Sequence, residues 1–192
     1  MAAEPWTASS ASAATVQSSA ATSFASVQVS VLTAQTPSGS AWLSKAATQA
    51  AAFKRRGIEA ALPHLEKSGA GSVLCISSTG AVEEFMGVQP YNALKAAVMA
   101  YSSAQSQALA PKNIRVNCIT PGPVWTEDGP WPQIKEGMPD FFGQIMGQMP
   151  LGKMTDGTEL AKAIAFVASP VCSTMTGANI VVDSGITKRN QF

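Results

Sequence analysis

The chain has 192 residues, 46% of them hydrophobic and 13% charged, with a formal net charge of +1. That is enough apolar material for one domain with a sizeable core, and it excludes a disordered polyelectrolyte. With 13 Lys and Arg against 12 Asp and Glu, there is no basic excess to track a nucleic-acid backbone and no acidic surface for a cationic partner.

Residues 1–56 hold 16 Ala, 11 Ser and 6 Thr, with one acid, Glu4, and one glycine, Gly39. This low-complexity composition separates a leader, 1–56, from the rest of the chain, 57–192. Within the leader, Ser26 to Thr33 alternates through Val27, Val29 and Val31, which predicts a strand followed by a turn at Thr36 to Gly39. A Ser/Thr-rich, acid-poor segment ending in Lys54-Arg55-Arg56 suits an organelle transit peptide, a disordered leader or a misread gene start.

After Gly57 the texture becomes that of a folded domain. Ile58, Ala61, Leu62 and Leu65 recur at helical spacing, predicting a helix over Ile58 to Lys67 that stops at Ser68-Gly69-Ala70-Gly71. His64 lies beside that stripe and reads as a surface histidine. Ser72 to Ile76 is a short apolar run between turn signals, as expected of a strand buried on both faces. Tyr91 to Ala110 is a helix between Pro90 and Pro111, and its small flanking residues suit close helix packing between copies of the chain. Ile114 to Ile119 is a second strand, so strand, helix and strand form a parallel unit.

Glu127 to Met149 mixes Trp131, Phe141, Phe142, Ile145, Met138, Met146 and Met149 with scattered glycines, and reads either as an apolar lid or as packed amphipathic helix. A helix follows over Glu159 to Ala168 with Asp156 or Thr158 as its N-cap, so Asp156 and Glu159 read as capping groups, not as an acid/base pair. Asn179 to Asp183 is the last strand, and Lys188-Arg189 a solvated tail.

Cys75, Cys118 and Cys172 are 43 and 54 residues apart and each lies in an apolar stretch, which suits buried thiols in a reducing, cytoplasmic compartment. One histidine and scattered cysteines give no metal framework. No apolar run approaches the ~20 residues of a membrane span.

In an open parallel sheet, ligands bind beyond the carboxyl ends of the strands. Ser77-Ser78 and Pro121-Gly122 follow the two strands there, and Tyr91 and Lys95, four apart, share one helix face near that same edge. A phenol becomes a useful acid or base near neutrality when a cation stabilises its phenolate, and a serine hydroxyl can hold a substrate oxygen within its reach. The reaction class suggested is proton transfer at a C–O group.

Ser78, then Tyr91-Asn92-Ala93-Leu94-Lys95 beginning thirteen residues later, then Asn117 to Thr126 with its Thr120-Pro121-Gly122-Pro123, resemble the short-chain dehydrogenase/reductase family. Pro150-Leu151-Gly152, Thr176-Gly177-Ala178 and Val182-Asp183-Ser184-Gly185 resemble that family's C-terminal third, so the likeness spans Gly57 to Phe192. The resemblance implies a Rossmann-like parallel sheet with flanking helices, and hydride transfer between NAD or NADP and a small-molecule alcohol or carbonyl. It implies Tyr91 as general acid/base, Lys95 lowering the pKa of Tyr91 and holding the nicotinamide ribose, and Ser78 orienting the substrate oxygen. Pro121, Gly122, Val124 and Thr126 would contact the nicotinamide, and Asn92 has no assigned role. The expected apolar substrate and homo-oligomer through the Tyr91 to Ala110 helix complete the reading. The family's glycine-rich pyrophosphate turn has no counterpart before residue 57, so the sheet is expected to be incomplete in its N-terminal half. The alternative is a truncated, non-catalytic member acting as an assembly partner.

Overall fold

A computed structural model of the chain describes residues 26–29, 55–83 and 90–188. The turn at Thr36 to Gly39, Lys54 and Arg189 lie outside the described residues. Four strands form one parallel sheet in the order β1 (Ser26–Val29), β2 (Gly71–Ile76), β3 (Ile114–Pro121) and β6 (Asn179–Val182). Two further short strands, β4 (Val124–Trp125) and β5 (Thr155–Asp156), pair in parallel beside it. Ser26 stands opposite Ser72 and Val29 opposite Cys75, so residues 26–29 add a strand to the sheet. Residues 30–33 of the strand expected there are outside the described residues.

The central strands are buried on both faces because each face receives a helical layer. Val73 and Cys75 of β2 and Ile114, Val116 and Cys118 of β3 pack with Ile58, Ala61 and Leu65 of α1 (residues 55–68) and with Val98 and Leu109 of α2 (Pro90–Leu109). On the other face, Leu74 and Ile119 meet Val167 and the half-buried Leu160, Ala163 and Ile164 of α5 (Gly157–Ala168). Alternation along each strand thus divides its side chains between two cores, and the expected α/β architecture with a parallel sheet results. All three cysteines are buried thiols, while His64 is exposed on α1.

β3 carries polar residues among its apolar ones, and these fasten the C-terminal third. The Arg115 guanidinium donates to the carbonyls of Val167, Ala168 and Ser169 at the end of α5, at 3.0, 3.1 and 3.1 Å, and to Met175 O at 3.2 Å. A cation there satisfies carbonyls that have no partner within the helix and opposes its dipole. Asn117, fully buried, donates to Met175 O and accepts from the Ala178 amide, which aligns β6 against β3.

Between β4 and β5 the chain forms α3 (Pro130–Gly137) and α4 (Pro139–Gly147), each opened by a proline whose missing N–H costs nothing at that position. Trp131, Ile145 and Met149 bury with Met154 and Ile186 in a third core. Apart from Met138, which is exposed, the apolar residues of this stretch pack together, as the amphipathic-helix reading expects. Asp156 caps α5: its carboxylate accepts from the Thr158 amide at 2.7 Å, and Glu159 reaches back to the Asp156 amide.

Candidate active site

The carboxyl ends of β2, β3 and β6 lie along one edge of the sheet, and the residues singled out in the sequence gather beside them. Ser77 continues the β2 ladder by donating its amide to Ile119 O. Its hydroxyl is buried and donates to Lys95 O at 2.8 Å, pinning the first turns of α2 to the strand end. Ser77 is therefore a fastening. Ser78 is the residue whose side chain hydrogen-bonds the Tyr91 phenol. It also caps the 3-10 turn Thr79–Ala81 by accepting from the Gly80 amide at 3.3 Å.

Tyr91 stands at the start of α2, 37% exposed. Lys95 follows one turn later, 5% exposed, with Nζ 5.4 Å from the centre of the Tyr91 ring and donating to Ile76 O at 3.2 Å. Hydroxyl, phenol and ammonium thus converge at one strand end. Burial raises the Tyr91 pKa above the ordinary tyrosine value, and the Ser78 hydrogen bond offsets part of that rise. Nζ lies over the ring and bonds a carbonyl, so desolvation of the phenolate wins in this arrangement.

Pro121 and Gly122 end β3 beside this trio. Gly122 donates to Val182 O at 3.0 Å, and a Cβ placed on it would lie 2.8 Å from Asp183 Cβ and 2.9 Å from Asp183 Cα. Only glycine lets the ends of β3 and β6 approach so closely. Val124 belongs to β4 and stands opposite Thr155, and the exposed Thr126 sits against Gly129 and Gly157 at the start of α5. These two are placed at the junction with α5, one short strand beyond the trio. The aromatic residues of this side interlock: the Phe142 ring meets those of Trp125 and Trp131 edge-on at 6.2 and 6.5 Å, and Lys135 lies over Trp125 and Phe142.

Asp156 and Glu159 are both held below the ordinary carboxylate range, Asp156 by its hydrogen bonds from Thr158 and Glu159 chiefly by the 2.6 Å pair with Lys153. Both are committed to the helix start. Asn92, which the family resemblance leaves without a role, packs against Gly80 so closely that a Cβ on Gly80 would lie 2.4 Å from its Oδ1. Glu83, unmarked in the sequence, accepts the Lys188 amide at 2.8 Å from 105 residues away. The glycine two positions after Ser78 is a readable sign of the first contact. Nothing local signals the second.

The profile of the family described as Enoyl-(Acyl carrier protein) reductase matches residues 40–187. The chain is 37% identical over 137 residues to isoepoxydon dehydrogenase patN of Aspergillus clavatus, covering 70% of this chain and 52% of that protein. It is also 37% identical over 136 residues to trans-4-hydroxycyclohexanecarboxylate dehydrogenase of Sinomonas cyclohexanicum, covering 71% and 48%. The chain thus spans about half the length of the curated relatives it matches. Among solved structures, it resembles an NADPH-bound short chain oxidoreductase of Pseudomonas aeruginosa, with a TM-score of 0.69, 28% identity, and coverage of 77% of this chain and 58% of that one. Sequence, sheet order and relatives agree, and the chain belongs to the short-chain dehydrogenase/reductase family.

Proposed function

We infer that this chain serves an oxidoreductase reaction, dependent on NAD or NADP, that interconverts an alcohol and a carbonyl with Tyr91 as general acid and base. The observation that carries this reading is the meeting of Ser78, Tyr91 and Lys95 at the carboxyl end of β2. When bound, the dinucleotide supplies or accepts the hydride. The Lys95 ammonium and the Tyr91 phenol are the groups that would hold its nicotinamide ribose, and the backbone after Pro121 and Gly122, with Val124 and Thr126, would contact its carboxamide.

In reduction, Ser78 holds the substrate oxygen by a hydrogen bond and Tyr91 gives that oxygen its phenolic proton; in oxidation, the proton returns to Tyr91. Lys95 becomes the counter-charge as the phenolate forms. The aromatic and methionine-rich α3 and α4 support an apolar substrate, and the hydroxycyclohexane named for one relative supports an alcohol carried on a carbon ring. The outward face of α2, with Ala93, Ala97, Ala100 and Ser103 exposed, supports pairing of two copies. Three buried thiols support a cytoplasmic location.

The second reading is a member without turnover: residues 1–56 hold one glycine, Gly39, so no glycine-rich turn within them offers a pyrophosphate its ring of backbone donors. Thermal unfolding with millimolar NADH and NADPH separates the two. Nucleotide at ~100 times its dissociation constant adds about 2.7 kcal/mol, a clear rise in melting temperature. Turnover that disappears in Tyr91→Phe, with nucleotide affinity within a few-fold, is the expected result. Retained turnover in that variant, or a cooperative transition indifferent to both nucleotides, would overturn the catalytic reading.

A further inference from the structure

Residues 183–188, after β6, are bound on three sides. Asp183 accepts from the Gly185 amide at 2.9 Å and from the Thr187 amide and hydroxyl at 3.0 and 2.6 Å, so the segment is folded back on one carboxylate. Toward α3 and α4, Ile186 is buried with Trp131, Ile145, Met149 and Met154, and Ser184 contacts Leu151 N and the Thr155 hydroxyl at 3.4 and 3.3 Å. Toward the serine turn, the Lys188 amide reaches Glu83 Oε2 at 2.8 Å. Glu83 is itself tied to that turn through its own amide, which donates to Thr79 O at 3.0 Å.

We propose that residues 183–188 form a strap, latched by Glu83, that fixes the α3–α4 pair relative to the turn carrying Ser78, making Glu83 a positioning residue for the substrate. The proposal rests on the reading of Ser78 and Tyr91 given above. Its chemistry is simple. A carboxylate acceptor strengthens the bond from the Lys188 amide, and this bond joins the end of the strap to the serine turn. With the latch in place, Ile186 and the serine turn keep one spacing, and the substrate meets a preformed gap. Without it, the strap remains anchored through Asp183 and Ile186 but its end is released, so the gap is sampled instead of held.

The test compares Glu83→Ala with Glu83→Gln, whose amide oxygen can still accept the Lys188 N–H. Hydrogen exchange read peptide by peptide on the intact chain is expected to rise roughly tenfold in Glu83→Ala at residues 184–188, and to rise also at 141–155, with Glu83→Gln close to the parent. Steady-state kinetics with cyclohexanol as probe should show KM for the alcohol rising several-fold in Glu83→Ala while KM for the nucleotide and the melting temperature hold, with Glu83→Gln restoring the parent value. Unchanged exchange at 141–155 in Glu83→Ala, or an equal rise in both KM values, would overturn the strap. If the parent shows no turnover with this probe and no nucleotide binding, the reading of the site falls, and the exchange at 141–155 alone decides the strap.

Discussion

Replacing Gly122 by alanine tests whether the ends of β3 and β6 meet as closely as described. The added Cβ would sit 2.8 Å from Asp183 Cβ and 2.9 Å from Asp183 Cα, against a comfortable carbon separation of about 3.5–4.0 Å. The obstacle is backbone and Cβ, so no rotamer change relieves it, and the strand ends must part by roughly 0.7 Å or more. Overpacking of this kind costs about 1–3 kcal/mol, and weakening the bond from Gly122 N to Val182 O adds ~0.5–1.5 kcal/mol. For a domain of this size, a loss of about 2–4 kcal/mol lowers the melting temperature by roughly 5–15 °C. Gly143→Ala supplies the opposite sign: the residue is exposed inside α4, with nothing within 4 Å of the added Cβ, so helix propensity should stabilise by ~0.5–1 kcal/mol. Thermal unfolding of the two variants reads both effects. A Gly122→Ala protein that melts within a degree or so of its parent would refute the close approach.

Three other perturbations probe the same structure. Arg115→Met removes the donors that serve the end of α5 and Met175 and should destabilise by about 2–4 kcal/mol in urea unfolding; an unchanged midpoint would contradict that arrangement. The Tyr91 phenol has a raised pKa, so its burial contributes stability that is complete below the ordinary tyrosine pKa and is lost as pH rises toward the folded value. Phenolate absorbance, taken as the difference from Tyr91→Phe, should appear above the ordinary tyrosine range, and later still in Ser78→Ala, where the lowering hydrogen bond is gone; an earlier appearance in Ser78→Ala contradicts the bond. Asp156 and Glu159 have lowered pKa values, so their contribution is present above the ordinary carboxylate range and lost as pH falls through the folded values. Urea midpoints measured from about pH 7 to about pH 3 should therefore fall less steeply in Asp156→Ala than in the parent.

The long elements were readable because each is built from one repeating local pattern. Val73 to Ile76 is apolar on both faces, Ile114 to Ile119 carries an apolar residue at every second position, and Tyr91 to Leu109 returns at helical spacing, so β2, β3 and α2 appear within two residues of the expected limits. β4 and β5 are two residues each, too short for any periodicity. They exist because residues after Gly122 and before α5 are brought side by side by larger parts of the fold. The same division holds at the site. Tyr91 and Lys95 could be placed together from their four-residue spacing on a helix, and Ser78 from its position after a buried strand. The fastening role of Ser77, its hydroxyl turned toward Lys95 O, depends on how α2 docks and has no signature in the chain. The desolvation that raises the Tyr91 pKa has no signature either: residue types show a nearby cation, whereas desolvation depends on how deeply the phenol is packed.

The dependence of β3 on the C-terminal third bears on how the protein is made. Beyond the bond from Arg115 to Ser72 Oγ, the Arg115 and Asn117 side chains find their partners 52 to 61 positions later in the chain, and Ile119 is covered by residues of α5 and β6. A nascent chain released from the ribosome as far as Lys153 therefore carries a guanidinium held by Ser72 alone, and a carboxamide and an apolar strip whose C-terminal partners are not yet made. Folding of the two earlier layers can begin during synthesis, since α1, α2, β2 and β3 share one core, but closure of the opposite face must wait for α5 and β6. That interval, in which one face of a parallel sheet is bare, is when chaperone capture or aggregation would compete with completion of the fold.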